Sequence, residues 1–255
     1  MSDVILETKD RIARIEIARL DKKNALTGAM YRAMQKALVD ADADAGVRAI
    51  LVHGARDCFT AGNDLKDFLD RSANGGPSSA FGFISTLPKV RKPLIAAVGG
   101  NAVGVGTTML LHCDFVYAAP NAKFHMPFVP LGLVPEAGSS LLLPMLAGYQ
   151  RAAELLLLGR PFDATKAQAA GIVTEVVPEG ELFERARETA LALAALPAAS
   201  VRESKRLMKQ AHAALLEKQL AEESSVFAER LQSPEAKEAM NAFFEKRKPD
   251  FSKFA

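Results

Sequence analysis

The sequence predicts an α/β fold with parallel strands, followed by a helical region. An alternating apolar segment at residues 12–17, an amphipathic helical pattern after Thr27 and a buried apolar segment at residues 48–52 follow one another. A strand, a crossover helix and a second strand in that order are typical of parallel pairing. The composition also shifts near residue 196, after which the pattern is helical. We therefore divide the chain into an α/β core, residues 1–196, and a C-terminal helical region, residues 197–255.

The individual elements follow from local patterns. Residues 4–6 and 12–17 alternate in polarity, which predicts an antiparallel hairpin. Thr27 is a good N-cap for the helix after it, and Asp163 is one for a short helix that Gly171 ends. Further strands are predicted at residues 94–98, 115–117 and 172–177. Further helices are predicted at residues 151–158, 181–195, 198–213, 215–231 and 234–246.

Composition narrows the class of protein. The 255 residues are 49% hydrophobic and 24% charged, which is typical of a globular chain with one large core. The 32 basic and 30 acidic residues nearly cancel, so neither a nucleic-acid surface nor a membrane surface is indicated. Two cysteines, Cys58 and Cys113, favour a reducing, cytoplasmic location, and the four histidines show no metal-binding spacing. We expect no metal, no signal peptide and no membrane span.

A glycine-rich turn, GGNAVGVG at residues 99–106, connects the apolar segment 94–98 to the start of a helix. A dinucleotide motif is excluded because its G-x-G-x-x-G frame would end on Met109. A phosphate loop is excluded because Val105 stands where that motif has lysine. Unpaired N–H groups at a helix start carry partial positive charge, so the turn is a candidate oxyanion hole. A tight turn that only packs a helix on a sheet is the alternative.

A second turn of this kind, Ala61-Gly62-Asn63, precedes a helix predicted to begin near Asp64. Its backbone N–H groups are also candidates to face a ligand, although many strand-to-helix loops look alike. Residues 72–80, SANGGPSSA, are the most loop-like stretch. We expect them to form a loop at the mouth of a pocket or a solvated linker.

Glu136 is a carboxylic acid among apolar neighbours, in the segment VPEAG. Burial would raise its pKa and suit it to proton transfer near neutral pH. A proline followed by an acid is also an ordinary helix start, stabilised by the helix dipole. From local sequence alone, the helix-start interpretation is favoured.

Together these motifs resemble the crotonase family, also called the enoyl-CoA hydratase/isomerase superfamily. The resemblance covers nearly the whole chain and rests on DKKNAL, FTAGNDL, GGNAVGVG, CDFVYAAPNAKFHMP, LGLVPEAGSS, AAGIVTEVVPEG and KRKPDF. It implies a crotonase/ClpP-like ββα spiral with a C-terminal helical trimerisation region, and a homotrimer or a dimer of trimers. It also implies an acyl-CoA thioester substrate, whose carbonyl oxygen is held by the backbone N–H groups of Asn63 and Val105.

The resemblance also separates two subtypes. Hydratases of the family carry two glutamates at positions that Thr108 and Phe128 occupy here. The chain is more similar to peroxisomal-type Δ3,Δ2-enoyl-CoA isomerases, whose lone catalytic glutamate matches Glu136. This implies an isomerase without a cofactor, since coenzyme A is part of its substrate, and it favours the catalytic interpretation of Glu136. A weak enoyl-CoA hydratase and a catalytically silent acyl-CoA-binding protein are the alternatives.

Other candidate contacts to the substrate follow from their positions in these motifs. They are Lys22, Lys23, Ala25, Ala61, Gly62, Asp64, Leu65, Gly104, Phe128 and Leu133. The two lysines are candidates for the phosphates of coenzyme A, with a solvated charged surface as the alternative. Phe128 and Leu133 are candidates for the acyl pocket, with ordinary core packing as the alternative.

Overall fold

The computed structural model describes residues 2–55, 57–64, 67 and 79–254, which form two sheets surrounded by helices. The larger sheet contains β1 (Val4–Lys9), β2 (Ile12–Ile17), β3 (Ala49–His53), β5 (Leu94–Val98), β7 (Phe115–Ala118) and β10 (Glu175–Val176), adjacent in that order. The first two strands form the predicted antiparallel hairpin. The other neighbouring pairs are parallel, as predicted.

The smaller sheet takes the intervening strands. It contains β4 (Cys58–Thr60), β6 (Asn101–Val103), β8 (Lys123–His125) and β9 (Phe162–Asp163), adjacent in that order. The chain thus alternates between the sheets, from β3 to β4, from β5 to β6 and from β7 to β8. Because β4, β6 and β8 are parallel, the turns that follow them emerge at one edge of the smaller sheet.

The helices lie around these sheets. They are α1 (Gly28–Ala43), α2 (Ser79–Thr86), α3 (Val105–Thr108), α4 (Ser139–Ala147), α5 (Tyr149–Leu157), α6 (Ala164–Ala169), α7 (Leu182–Ala195), α8 (Ala198–Leu231) and α9 (Pro234–Phe244). The two predicted N-caps are confirmed: Thr27 accepts from Met30 N–H at 3.3 Å, and Asp163 accepts from Lys166 N–H at 2.8 Å. No helix among the described ranges is both long enough and apolar enough to cross a membrane.

β3 shows why the larger sheet is rich in uninterrupted apolar runs. Ile50 and Val52 pack into the main core between the sheets and α1, whereas Leu51 packs on the opposite face with Leu182 and Ala186 of α7. Both faces are therefore covered, as is usual for parallel sheets. The sheet provides a rigid base from which the turns of the smaller sheet project.

A buried ion pair attaches α8 to this base. Lys205 Nζ lies 2.6 Å from Asp114 Oδ2 and donates to the carbonyl oxygen of Lys92 at 2.7 Å. The same carboxylate oxygen accepts from the N–H of Leu94, the first residue of β5, at 2.8 Å. One carboxylate thus joins α8 to the segments that begin two central strands.

Two predicted boundaries are wrong. The helices predicted at 198–213 and 215–231 are one helix of 34 residues, because the segment contains neither glycine nor proline to interrupt it. The strand predicted at 172–177 is reduced to Glu175–Val176. The N–H groups of Ile172 and Val173 instead donate to the carbonyl of Ala167 and close the end of α6.

Candidate active site

The turn after β4, which we call the Asn63 turn, leaves one backbone N–H group unpaired. The N–H of Gly62 donates to the hydroxyl of Thr60 at 3.1 Å. The N–H of Asp64 donates to the carbonyl of Leu26 at 2.9 Å. Between them, the N–H of Asn63 meets no acceptor in the part of the chain that the structure describes. Because Leu26 bridges to one side of Asn63, this N–H points to the other side.

The turn after β6, the Val105 turn, leaves a second N–H group unpaired. Gly104 has φ of 57° and ψ of −120°, a conformation that glycine adopts readily and other residues avoid. Its N–H donates to His125 O at 2.8 Å, and its carbonyl accepts from the N–H groups of Thr107 and Thr108. The N–H of Val105, the first residue of α3, has no acceptor among the described residues.

The two turns are in contact. β4 and β6 lie side by side, with Thr60 opposite Ala102. A Cβ atom on Gly62 would lie 2.9 Å from Val103 O, and one on Gly106 would lie 2.4 Å from Thr60 Cγ2. Only glycine allows this approach at both positions. The two unpaired N–H groups therefore emerge at the same edge of the sheet, where paired donors can stabilise a developing negative charge on oxygen.

Glu136 lies beside α3 and precedes α4. Helix α4 begins at Ser139, whose N–H and hydroxyl donate to the carbonyl of Glu136 at 3.1 and 2.6 Å. The carboxyl group accepts a hydrogen bond from the hydroxyl of Thr108 through Oε1, while Oε2 has no donor within the described ranges. The helix-start interpretation is thus wrong, because Pro135 lies outside the helix and the carboxyl group faces α3.

The environment of Glu136 suits a group that both accepts and donates a proton. Burial raises the pKa of its carboxyl group from 4.5 to about 8. The Thr108 hydroxyl opposes this rise by stabilising the charged form, whereas the negative charge of Glu223 adds to it. An acid with a pKa near the working pH transfers protons efficiently in both directions.

Tyr31, on α1, is a residue of this region that the sequence analysis missed. Its side chain is buried, packs against Phe83 and donates its phenol hydrogen to Asn63 Oδ1 at 2.5 Å. Burial raises the pKa of Tyr31 well above its ordinary value, and the charge of Glu136 raises it further. Tyr31 thus contacts Asn63 directly and lies within electrostatic range of Glu136. The sequence does place a tyrosine on the apolar face of α1. Because a buried hydroxyl requires a hydrogen-bond partner, this tyrosine could have been recognised as one that bonds to a polar group in the interior.

His112 supports the residue after Glu136. Its Nε2 lies 2.7 Å from the carbonyl oxygen of Ala137. Burial lowers the pKa of His112 to about 4, so the imidazole is neutral at physiological pH. It must then carry its proton on Nε2 to donate to this carbonyl. His112 belongs to the interior and also fixes the backbone beside the carboxyl group.

The predicted acyl-pocket residues follow β8, the strand next to β6 in the smaller sheet. They therefore come after the third parallel strand of that sheet. Phe128 and Leu133 are both buried, and Leu133 N–H donates to Phe128 O at 2.8 Å. The side chain of Phe128 carries no acidic group. Contact of either side chain with an acyl chain stays a prediction.

The predicted phosphate contacts lie at the surface next to the Asn63 turn. Lys22 and Lys23 are exposed. The carbonyl of Lys23 accepts from Ala61 N–H at 3.0 Å, so the lysine segment is attached to the turn. Ala25, half-buried in the same segment, accepts from the Arg19 guanidinium at 2.8 Å. The segment is thus held at the edge of the candidate site, and its contact with coenzyme A stays a prediction.

Asp64 has a structural partner. Its Oδ2 lies 2.8 Å from Arg19 Nη1. This ion pair fixes the end of the Asn63 turn, and a direct contact of Asp64 with substrate stays a prediction. Leu65 lies outside the described residues, as do most of the helix predicted to begin near Asp64 and most of the loop predicted at 72–80.

Comparisons with known proteins agree with this fold. The family model described as enoyl-CoA hydratase/isomerase matches residues 7–253. A solved enoyl-CoA hydratase/isomerase from Pseudoalteromonas atlantica T6c aligns with a TM-score of 0.93 at 41% identity, over 98% of this chain and all of that chain. The expected crotonase-type fold is therefore confirmed.

Curated relatives carry both names of the family. A protein of Mycobacterium tuberculosis named "Probable enoyl-CoA hydratase" is 33% identical over 250 residues, which are 98% of this chain and 97% of the relative. "Enoyl-CoA delta isomerase 2" of Rattus norvegicus is 36% identical over 252 residues, which are 96% of this chain and 64% of the rat protein. The alternation of the chain between two sheets, the two turns that follow parallel strands and these similarities lead to one conclusion: the chain belongs to the enoyl-CoA hydratase/isomerase family, the crotonase superfamily, and is an enzyme of that family.

Proposed function

We propose that the enzyme is a Δ3,Δ2-enoyl-CoA isomerase of fatty-acid metabolism, which moves the double bond of a 3-enoyl-CoA to the 2-trans position. The observation that supports this most is the location of Glu136. Its carboxyl group is held by Thr108, one helical turn after Val105, whose N–H is unpaired. A proton-transferring group and a donor for the thioester oxygen are thereby attached to the same short helix.

In the proposed reaction, the N–H groups of Asn63 and Val105 hold the thioester carbonyl oxygen. Glu136 Oε2 removes a proton from C2, and the electron pair moves onto the carbonyl oxygen as a dienolate. The protonated Glu136 then returns the proton at C4, and the electrons move back to form the double bond between C2 and C3. The atoms balance without water, metal or redox cofactor, because the product is an isomer of the substrate.

The raised pKa of Glu136 has a defined use in this scheme. At pH 7 a carboxyl group with a pKa of about 8 is ionised in about one molecule in ten, which is enough to begin the cycle. In exchange, each ionised carboxylate is a stronger base toward the C2 proton than an exposed glutamate. The Thr108 hydroxyl fixes Oε1 and leaves Oε2 for the substrate.

The second candidate is a weak enoyl-CoA hydratase, favoured by the names of several relatives. Hydration requires one group to activate water and another to deliver a proton at C2. Thr108 and Phe128 occupy the positions at which the resembling hydratases carry glutamates, and neither side chain is a base near neutral pH. Glu136 alone would have to perform both tasks.

Parallel assays of 3-hexenoyl-CoA and crotonyl-CoA distinguish the candidates. We expect conversion of the first to the conjugated 2-trans product, followed by its ultraviolet absorbance, and slow or no hydration of the second. Glu136→Gln should lower the isomerisation rate about 10³-fold. Glu222→Gln, an exposed glutamate on α8, is the matched control and should not change it. Rapid hydration of crotonyl-CoA would exclude the isomerase, and binding without turnover would favour an acyl-CoA-binding protein.

A trimeric assembly and a cytoplasmic location complete the proposal. Large apolar side chains on α8 are exposed in the single chain, with Leu207 at 54% and Met208 at 71%. These residues are available to pack against further copies of the chain. Light scattering coupled to size-exclusion chromatography is expected to give three or six times the mass of 27.4 kDa, and a monomer would contradict this assembly.

A further inference from the structure

The segment from Glu136 to the first two residues of α4, which we call the Glu136 turn (residues 136–140), is held by a carboxylate from the C-terminal helical region. Glu223 on α8 is only 5% exposed. Its Oε2 accepts from Gly138 N–H at 2.6 Å, and its Oε1 accepts from Ser140 N–H at 3.0 Å and Ser140 Oγ–H at 2.5 Å. Gln219, one turn earlier on α8, donates to the same Ser140 hydroxyl oxygen at 2.9 Å.

The Glu136 turn needs this support. Ala137 and Gly138 both have left-handed backbone conformations, with φ of 59° and 72°. For alanine this conformation costs about 1 kcal/mol or more, and it persists only when surrounding contacts impose it. The N-cap of α4, Gly138, has no side chain to cap the helix. Glu223 therefore supplies from a distant part of the chain the acceptor that a serine or aspartate N-cap would normally supply.

The turn is held from two sides. His112 donates to the carbonyl of Ala137, and Glu223 accepts from the N–H groups of the next residues. Glu136 immediately precedes these bonds, so the direction of its side chain depends on them. Loss of either bond would allow the carboxyl group of Glu136 to move relative to the unpaired N–H groups of the Asn63 turn and the Val105 turn.

Glu223 also affects the charge of Glu136. Within the described part of the chain, the titratable groups that contact the Glu136 turn or interact electrostatically with Glu136 are Tyr31 from α1, His112 from the 3₁₀ helix Met109–His112 and Glu223 from α8. The phenol and the imidazole are neutral near pH 7, so of these three groups Glu223 is the one that carries a negative charge when it ionises. Two cations of α8 that act on His112, Lys205 and Lys209, lie 2.6 and 3.9 Å from Asp114.

We propose that Glu223 is a positioning residue for the reaction, which fixes the Glu136 turn and places a second carboxyl group beside it. Its role in the reaction rests on the proposed function of Glu136. The burial of Glu223 raises its own pKa, although three donated hydrogen bonds oppose the rise. When both carboxyl groups are ionised, proton uptake by Glu136 relieves the repulsion between them.

A titration that does not require activity tests the electrostatic part. The carboxyl carbons of glutamate are labelled with ¹³C, and the signal of Glu136 is identified by its loss in Glu136→Gln. In Glu223→Gln, we expect the apparent pKa of Glu136 to fall by about one unit, because a like charge has been removed. Glu223→Asp keeps the charge and should leave the pKa within a few tenths of a unit. Glu222→Gln, the exposed neighbour, should have no effect. An unchanged titration in Glu223→Gln overturns the electrostatic role.

Kinetics with 3-hexenoyl-CoA test the positioning part. Glu223→Gln and Glu223→Asp should each lower kcat about tenfold and change KM less than twofold, because Glu223 does not lie at the substrate. Retained kcat in both variants overturns the positioning role. If the parent enzyme shows no isomerisation, the proposed function fails, whereas the titration still decides whether Glu223 tunes Glu136.

A milder variant keeps the proposal testable should Glu223→Gln not fold. Ser140→Ala removes one of the three donors to Glu223 and leaves the negative charge in position. It should lower kcat about threefold without lowering the pKa of Glu136. Unchanged kcat in a folded Ser140→Ala enzyme, together with unchanged kcat in Glu223→Asp, contradicts the proposal.

Discussion

The buried carboxyl group of Glu136 should make the enzyme less stable as pH rises, and Glu136→Gln should remove this effect. Glutamine has nearly the same shape as glutamate, and its carbonyl oxygen can accept the hydrogen bond from Thr108. Unlike glutamate, it cannot ionise. The difference in unfolding free energy between the two proteins therefore reports the cost of ionising Glu136 inside the folded enzyme.

The magnitude follows from the two pKa values. The folded-state pKa of about 8 exceeds the ordinary value of 4.5, so the folded protein holds a proton that the unfolded chain releases. Stability contributed by this proton is complete below pH 4.5 and is lost progressively up to about pH 8. A shift of this size corresponds to about 5 kcal/mol. Since Glu136 is only half-buried as a residue, solvent screening reduces the expected effect to about 2–4 kcal/mol.

Urea unfolding at several pH values between 4.5 and 9 measures this difference directly. Glu136→Gln should match the parent near pH 4.5 and exceed it by about 2–4 kcal/mol at pH 9. Titrating groups that do not interact with Glu136 act equally on both proteins and cancel in the comparison. Glu222→Gln, at an exposed position, should follow the parent at every pH. A constant difference between Glu136→Gln and the parent would refute the conclusion that Glu136 is buried with a raised pKa.

Further predictions concern catalysis of 3-hexenoyl-CoA isomerisation. The value of kcat/KM should rise with pH and level off above about 8, since Glu136 must be ionised to accept the C2 proton; a flat profile would contradict its role as the base. Val105→Pro should lower kcat by about 10²–10³ while circular dichroism stays unchanged, because proline lacks the donor N–H but is tolerated at the first position of a helix; undiminished activity would exclude this donor. Tyr31→Phe should lower kcat about tenfold, because it releases the side chain of Asn63. Tyr117→Phe is the control and should not lower kcat. It removes a phenol that is equally buried but bonded to Thr189, on the α7 side of the larger sheet. Equal losses in both tyrosine variants would point to general destabilisation.

Local sequence was sufficient for the elements that local chemistry determines. The hairpin, the caps at Thr27 and Asp163 and the strand at 94–98 follow from alternation, side-chain oxygens and an apolar run, and the structure has all of them. The glycine turns were also visible, because close contact between two backbones requires residues without Cβ atoms. Boundaries that depend on competition between neighbouring elements, such as the end of α6, could not be predicted from local sequence.

The contacts that prepare Glu136 could not be predicted because they join distant parts of the chain. The sequence draws attention to Thr108 because this residue stands where hydratases of the family have a glutamate. It does not show that the Thr108 hydroxyl donates a hydrogen bond to Glu136. Tyr31 and Asn63 are separated by 32 residues, and Glu223 and Gly138 by 85. Such pairs leave no periodic signal, and each polar residue alone is equally compatible with an ordinary buried hydrogen bond.

The ion pair between Lys205 and Asp114 has a consequence for anyone who shortens this chain. A fragment ending at residue 196 would keep every strand that the structure describes, yet it would remove the cation that pairs with the Asp114 carboxylate. The same cut would delete the acceptor for the amides at the start of α4. A shortened version meant to keep the candidate active site should therefore retain the long final helices.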